Sequence, residues 1–215
     1  GNRLSSNNLR ACMAEYEGTI DLVTGDGGFD FSVAFDRQEA TSMALVVAQI
    51  AFALAIQRQG GHFILKVFDT FTQATLDALF ILSGAYTTVR IMKPQTSRQG
   101  NSERYIVCSG FRLADRGKMV GALSECLEQA SKGRHVQRLL AHPLPYYYSS
   151  RVEEINAVLG QQQIESITST LWLIDSNRSD RLESMKKTHI QKCISWCQRH
   201  QLPYNRVIQT TNIFM

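Results

Sequence analysis

QEATSMALVVAQIAFALAIQRQGGHFILKVFD, residues 38–69, is the stretch that decides the fold. From Gln38 to Gln59, Ala, Leu, Val and Ile recur at three- and four-residue spacing, which predicts a helix with Gly60-Gly61 as its stop. His62–Phe68 (HFILKVF) then reads as a short buried strand with a lysine in the middle of the apolar run. A helix delivered into a strand is the repeating unit of an α/β sheet.

Working outward, the same alternation continues in both directions. Upstream, Thr19–Thr24 (TIDLVT) predicts a strand that ends at Gly25-Asp26-Gly27-Gly28. Downstream, the pattern predicts a helix over Thr72–Ser83, a strand over Thr87–Met92, a polar loop over Lys93–Ser102 and a strand over Arg104–Ser109. After Gly110 the texture changes. Helical patterns over Lys118–Lys132, Arg151–Leu173 and Asp180–His200 flank the connector HPLPYYYSS, with no strand pattern of comparable strength. The expected organisation is an α/β domain over 1–112 and a mostly helical C-terminal extension over 113–215. The Asp-Gly-Gly turn does not satisfy G-x-G-x-x-G and follows what reads as a middle strand. The sheet is therefore expected to be the C-terminal half of a doubly wound, Rossmann-like one, its opening strands absent. A parallel sheet cut there exposes a strand edge, so another chain or further polypeptide is expected to cover Thr19–Thr24.

Composition narrows the class of function. A formal charge of +4 permits an anionic partner, but clustering says more: Lys93, Arg98 and Arg104 crowd one loop, and Lys186, Lys187 and Lys192 share a late helix. Ala44–Ile56, the longest apolar run, is interrupted by Gln49 and too short to span a bilayer, so no membrane partner is expected. No signal peptide is visible. Five cysteines, an odd number without framework spacing, point to a reducing, intracellular setting, whether nuclear, cytoplasmic or viral. His189, Cys193, Cys197 and His200 fall on one helical stripe, which cannot wrap a tetrahedral ion, and no metal is expected.

Four polar features have two readings each. Asp26 ends a parallel strand, where such sheets bind ligands, and its glycines allow close approach; an ordinary Asp-Gly turn looks the same. Lys66 must be paired or deprotonated if buried, or else it reaches the strand end. The cationic loop KPQTSRQGNSERYIVC (93–108) places Glu103 at a strand entrance, or it is a solvated loop with Glu103 and Arg104 as surface charges. Glu39, beside Gln38, suits the positive end of its helix in either case.

Together these stretches resemble the FtsJ-like ribose 2′-O-methyltransferases, above all the enzymes that methylate mRNA caps. The resemblance rests on D-x-V-x-x-DGGF (Asp21–Phe29), Gln38-Glu39, GGHFILKVFD (Gly60–Asp69) and KPQTSRQGNSERYIVC (Lys93–Cys108), in that order over roughly residues 19–110. It implies S-adenosylmethionine as cofactor, contacted by Asp26 and Gly27, and capped mRNA or another RNA as substrate. It also implies a Lys-Asp-Lys-Glu catalytic set, of which Asp26, Lys66 and Glu103 match three members. The first lysine and the glycine-rich cofactor loop have no counterpart here. Ser97, Arg98, Asn101, Ser102 and Lys93 are the implied RNA-side residues, suited to phosphate, ribose and base stacking.

The implied chemistry explains these residue types. A ribose 2′-hydroxyl is a poor nucleophile, so Lys66 would accept its proton as the oxygen attacks the sulfonium methyl. That demands a lysine pKa brought from about 10.4 to roughly 7–8 by burial and a second cation. Asp26 and Glu103 would orient the lysines, and in-line placement supplies the rest. A ribosomal-RNA 2′-O-methyltransferase shares the set, and a non-catalytic RNA- or partner-binding subunit is the alternative of another class.

Overall fold

The computed structural model describes residues 5–28, 37–176 and 179–205. Phe29–Ser32, the end of the first motif, lies outside them, as does Gly1-Asn2. The elements run α1 (Ser6–Tyr16), β1 (Ile20–Gly25), α2 (Gln38–Ile56), β2 (Gln57–Phe68), α3 (Gln73–Ala85), β3 (Tyr86–Met92), β4 (Glu103–Phe111), α4 (Gly117–Ser131), α5 (Tyr146–Ser176) and α6 (Ser179–Arg199). They form two compact units, Gly1–Ile164 and Glu165–Met215, divided within α5. The α/β class is as expected.

The sheet order is β1-β2-β4-β3. Strands β1 and β2 are parallel, whereas β4 is antiparallel to both β2 and β3. A uniformly parallel sheet does not form because the 93–102 loop turns β4 back between its predecessors. Strand β2 alternates buried and half-exposed residues from Phe63 onward. Phe63, Leu65 and Val67 share the buried face with Ile106 and Cys108 of β4. Helices α2 and α3 pack on the sheet, and α1 and α4 pack on α2. Thus α2 is enclosed between layers: its residues 45–51 and 53–55 are all buried. By length and composition α2 could cross a membrane, with mean hydropathy 1.8, but 67% of that window is buried inside the fold. It is the core helix of this domain.

Gly60-Gly61 does not stop the helix. Helix α2 ends at Ile56 and Gln57 begins β2, with the glycines inside the strand. The register jumps from Ile20↔Gln57 to Leu22↔His62, so β2 bulges there. Buried Gln57 causes the bulge by folding back. Its Nε2 donates to Asp21 O (3.2 Å) and to His62 O, and its Oε1 accepts from the Tyr86 hydroxyl. Gly60 has φ +77°, and a Cβ on Gly61 would lie 2.7 Å from the Gln57 side chain and 2.9 Å from Asp21 O.

The segment after α4 is tied to the domain by one buried carboxylate. Asp77 of α3, fully enclosed, accepts from Arg138 Nε (2.8 Å), Leu139 N (2.8 Å), Leu140 N (3.2 Å) and Gln73 Nε2 (3.1 Å). Burial alone would raise its pKa, but the hydrogen bonds from Arg138, Leu139, Gln73 and Leu140 outweigh it and hold the carboxyl below the usual range. A folded-state pKa below the unfolded one contributes stability that is complete above about pH 4 and lost as pH falls through the folded value. Asp77→Asn should therefore cost about 2 kcal/mol at neutral pH, discounted for the partly exposed Arg138, and flatten the acid limb of the stability curve. Urea titrations from pH 3 to 7 would measure it. Parallel curves for the two proteins would refute the assignment.

Candidate active site

Strand register builds the site. Gly25 pairs with Leu65, so Asp26, the next residue, draws level with Lys66. Lys66 pairs with Tyr105 across β2 and β4, and Phe68 pairs with Glu103. With a period of two, Lys66, Phe68, Tyr105 and Glu103 all rise from one face, opposite the core face carrying Phe63 and Leu65. The three candidate catalytic residues, scattered over 78 positions in sequence, thus meet at the carboxyl ends of β1 and β2. Ligands bind parallel sheets at that end.

Lys66 forms an ion pair with Asp26. The lysine side chain is only 17% exposed and the carboxylate 64%, so the pair opens to solvent on the Asp26 side. The Lys66 ammonium also sits 5.6 Å from the centre of the Phe68 ring. Glu103 Oε1 accepts from the Tyr105 hydroxyl (3.0 Å) and from Ser97 Oγ (3.3 Å). Burial, then Glu103 and Asp26, push the Tyr105 phenol up to about 12. At neutral pH it is therefore a proton donor to Glu103, and it stands opposite Lys66 in the strand register.

Residues behind the strip hold it in place. Gly27 N–H donates to Gln49 Oε1 (2.8 Å), while Gln49 Nε2 donates to Leu45 O (3.1 Å) inside α2. The polar residue that interrupts the apolar run of α2 is thus the anchor of the Asp26 turn. A Cβ on Gly25 would lie 2.9 Å from that same Gln49 oxygen. Gln49→Leu orphans the Gly27 N–H and loosens the turn, so turnover should fall roughly 10–100-fold with the fold retained. Steady-state kinetics with a thermal melt would check this, and an undiminished kcat would sink it.

The five RNA-side candidates separate. Arg98 stands exposed at the start of a turn, its backbone O accepting from Asn101 N (3.4 Å). Ser97 is drawn to Glu103, and Ser102 O accepts from Asp69 N (3.1 Å). Lys93 Nζ donates to Asn101 O (2.8 Å), Asn101 Oδ1 (2.8 Å) and Glu103 O (2.9 Å), so it closes its own loop. Burial lowers the Lys93 pKa, with Glu103 opposing and Arg104 assisting.

Arg104 is not a surface charge. It points to the opposite face from Glu103, is 2% exposed, and donates to Thr70 Oγ1 (2.7 Å), Asn156 Oδ1 and Asp69 Oδ1 (3.4 Å). Asp69 has φ +53°. Glu39, from the start of α2, accepts from Phe71 N (3.0 Å), Thr72 N (2.8 Å) and Thr72 Oγ1 (2.8 Å). Glu39 and Arg104 together shape the turn that follows the Lys66 strand. Among the described residues no group of three or more His, Cys, Asp or Glu gathers as a metal site.

The sequence pattern of the FtsJ-like methyltransferase family matches residues 2–111, half of the chain. The chain belongs to the FtsJ-like methyltransferase family. Such methyltransferases are generally S-adenosylmethionine-dependent. The chain is 28% identical over 171 residues to cap-specific mRNA (nucleoside-2′-O-)-methyltransferase 2 of Drosophila melanogaster, covering 79% of this chain and 24% of the fly protein. It is 29% identical over 199 residues to the Mus musculus protein of the same name, 90% of this chain and 26% of that one. Cap-specific mRNA (nucleoside-2′-O-)-methyltransferase 1 of Mus musculus matches at 39% over 94 residues, 44% of this chain and 11% of the relative. The chain thus spans about a quarter or less of the length of these relatives.

Asp26 is exposed beyond the strand end, and among the described residues nothing lies within 4 Å of where a Cβ on Gly28 would be. The Gly27 N–H is committed to Gln49, so it is not a free donor to a ligand.

Proposed function

We propose that this chain contributes the general base and the RNA side of a 2′-O-methyltransferase acting on a cap-proximal ribose of mRNA. The observation that carries the reading is the Lys66–Asp26 pair, aligned by strand register with Tyr105 and Glu103 at the ligand-binding end of the sheet. Relatives named as cap-specific 2′-O-methyltransferases support the choice of substrate.

S-adenosylmethionine would supply the electrophilic methyl group, held on this side by Asp26 and the Gly27 backbone. Lys66 takes the proton of the ribose 2′-hydroxyl as the oxygen attacks. Asp26 fixes the direction of the Lys66 amine, and Glu103, steadied by Tyr105 and Ser97, does the same from β4. Arg98, exposed at the start of its turn, meets RNA phosphate or stacks on a base, with Ser97, Asn101, Ser102 and Lys93 keeping that loop in shape. A second cation beside Lys66 and most of the cofactor cradle are assigned to polypeptide outside residues 1–215 or to another chain, which also covers the open edge of β1. Residues 1–112 form the methyltransferase part and 113–215 its extension, and the odd cysteine count supports a reducing, intracellular setting.

The test is methyl transfer by the full-length protein from labelled S-adenosylmethionine to capped and uncapped RNA of one sequence, with the methylated position mapped. Label on the 2′-oxygen of a cap-proximal nucleotide, dependent on the cap, is expected. Equal labelling of uncapped or ribosomal RNA would overturn the substrate, and no labelling would overturn the activity. Tight S-adenosylmethionine binding by residues 1–215 alone would refute the need for further polypeptide.

A further inference from the structure

The late cationic helix plays no part in the strip on the sheet, yet its charges are ordered. Arg181, Met185, His189, Lys192, Trp196 and Arg199 of α6 follow one another at spacings of four and three. They therefore share one stripe, about 27 Å long. Neither acid of α6 falls on it: Asp180 and Glu183 are offset, and Glu183 is bound to Lys186 (2.9 Å). Ile190, Ile194 and Cys197, all half-buried, occupy the other side of the helix; on the stripe Arg181, Met185, His189, Lys192 and Arg199 are exposed and Trp196 is half-buried.

Aromatic rings lie beside these cations. Arg181 lies 4.8 Å from the centre of the Trp172 ring, and Trp196 and His200 sit with ring centroids 4.6 Å apart. A shallow groove of about 540 Å³ is lined by Arg181, Ser184, Met185, Thr188, His189 and Lys192, together with Asp180.

We propose that this stripe of α6 binds the single-stranded RNA substrate. The inference rests on RNA being the substrate. Cations spaced along a line neutralise successive phosphates, and rings beside them accept unpaired bases of any sequence. A membrane-surface helix needs a continuous exposed apolar arc opposite its cations. Here that arc is already half-buried, so RNA is the occupant that the charge pattern fits.

The test compares the whole protein with R181Q/K192Q/R199Q and with K186Q/K187Q, which removes charge from other arcs of the same helix. All five positions are exposed, so both variants should fold, and circular dichroism would verify it. Fluorescence anisotropy with a single-stranded RNA should show the triple variant at least tenfold weaker. Its slope of log affinity against log salt should be smaller by about 2, from roughly 0.7 per lost phosphate contact. The double variant should bind within about twofold of the parent.

Equal affinity of the triple variant and the parent would overturn the proposal. So would equal losses in both variants, which would mean net charge alone. Loss of binding to phosphatidylserine vesicles with RNA affinity intact would overturn it in favour of a membrane surface. Absence of methyl transfer by the unsubstituted protein would refute the activity proposed above, and the RNA-binding comparison would still decide this one.

Discussion

Lys66→Met should reduce methyl transfer by about 10²–10⁴-fold while leaving RNA affinity within a factor of two. Methionine keeps an apolar stem at this position and removes the amine, so the strand should keep its place. Asp26, mostly exposed, can be solvated once its partner is gone, which keeps the cost in stability small. Lys66→Arg is the sharper companion. It retains the cation beside Asp26 but supplies a group that does not deprotonate in proteins, so it should be nearly as inactive. Single-turnover kinetics would separate chemistry from binding. If Lys66→Met methylates within tenfold of the parent, the lysine is not the base.

Arg104→Met should unfold the domain more readily than any substitution on the exposed face. The guanidinium is enclosed and joins the end of β2 to Asn156 of α5 through Thr70, Asp69 and the Asn156 amide, which also donates to Thr70 O (2.8 Å). Its removal strands Asp69, whose pKa is already raised by burial, with Arg104 the main opposing influence and Glu39 adding to the rise. Breaking such a buried pair costs about 3–5 kcal/mol. Chemical denaturation should show the loss, with the urea midpoint shifted and the slope unchanged. A midpoint equal to that of the parent would mean that Thr70 and Asn156 hold the turn without the arginine.

The second prediction concerns a residue that the fold sends to a different fate from its neighbour in sequence. Glu103 and Arg104 are adjacent and both charged. Strand alternation puts one on the solvent face beside Tyr105 and the other in the core, and nothing in a lone sequence tells which face is which. The motif around Lys66 was legible because a lysine inside an apolar strand has few stable environments. Gln49 carried a similar signal, a polar residue interrupting the apolar run of α2. Its partner, the Gly27 N–H, lies 22 residues away and could not be named from periodicity. The Gly60-Gly61 pair misled because glycine ends helices and permits bulges alike. Only the folded-back Gln57 side chain and the close Asp21 carbonyl distinguish the two.

The family resemblance singled out Asp26, Lys66 and Glu103; by itself, the sequence determined that strands alternate with helices through residue 111 and that a helical segment follows. Those properties are local: apolar period, turn residues, and the cost of an unpaired buried charge. Only the tertiary structure decided that β4 returns antiparallel between β2 and β3, bringing Glu103 and Tyr105 beside Lys66. It alone sent Lys93 into its own loop and Arg104 into the core. The reason is that pairing and burial are set by partners distant in the chain, and the energy of a charged group depends on which of them it meets.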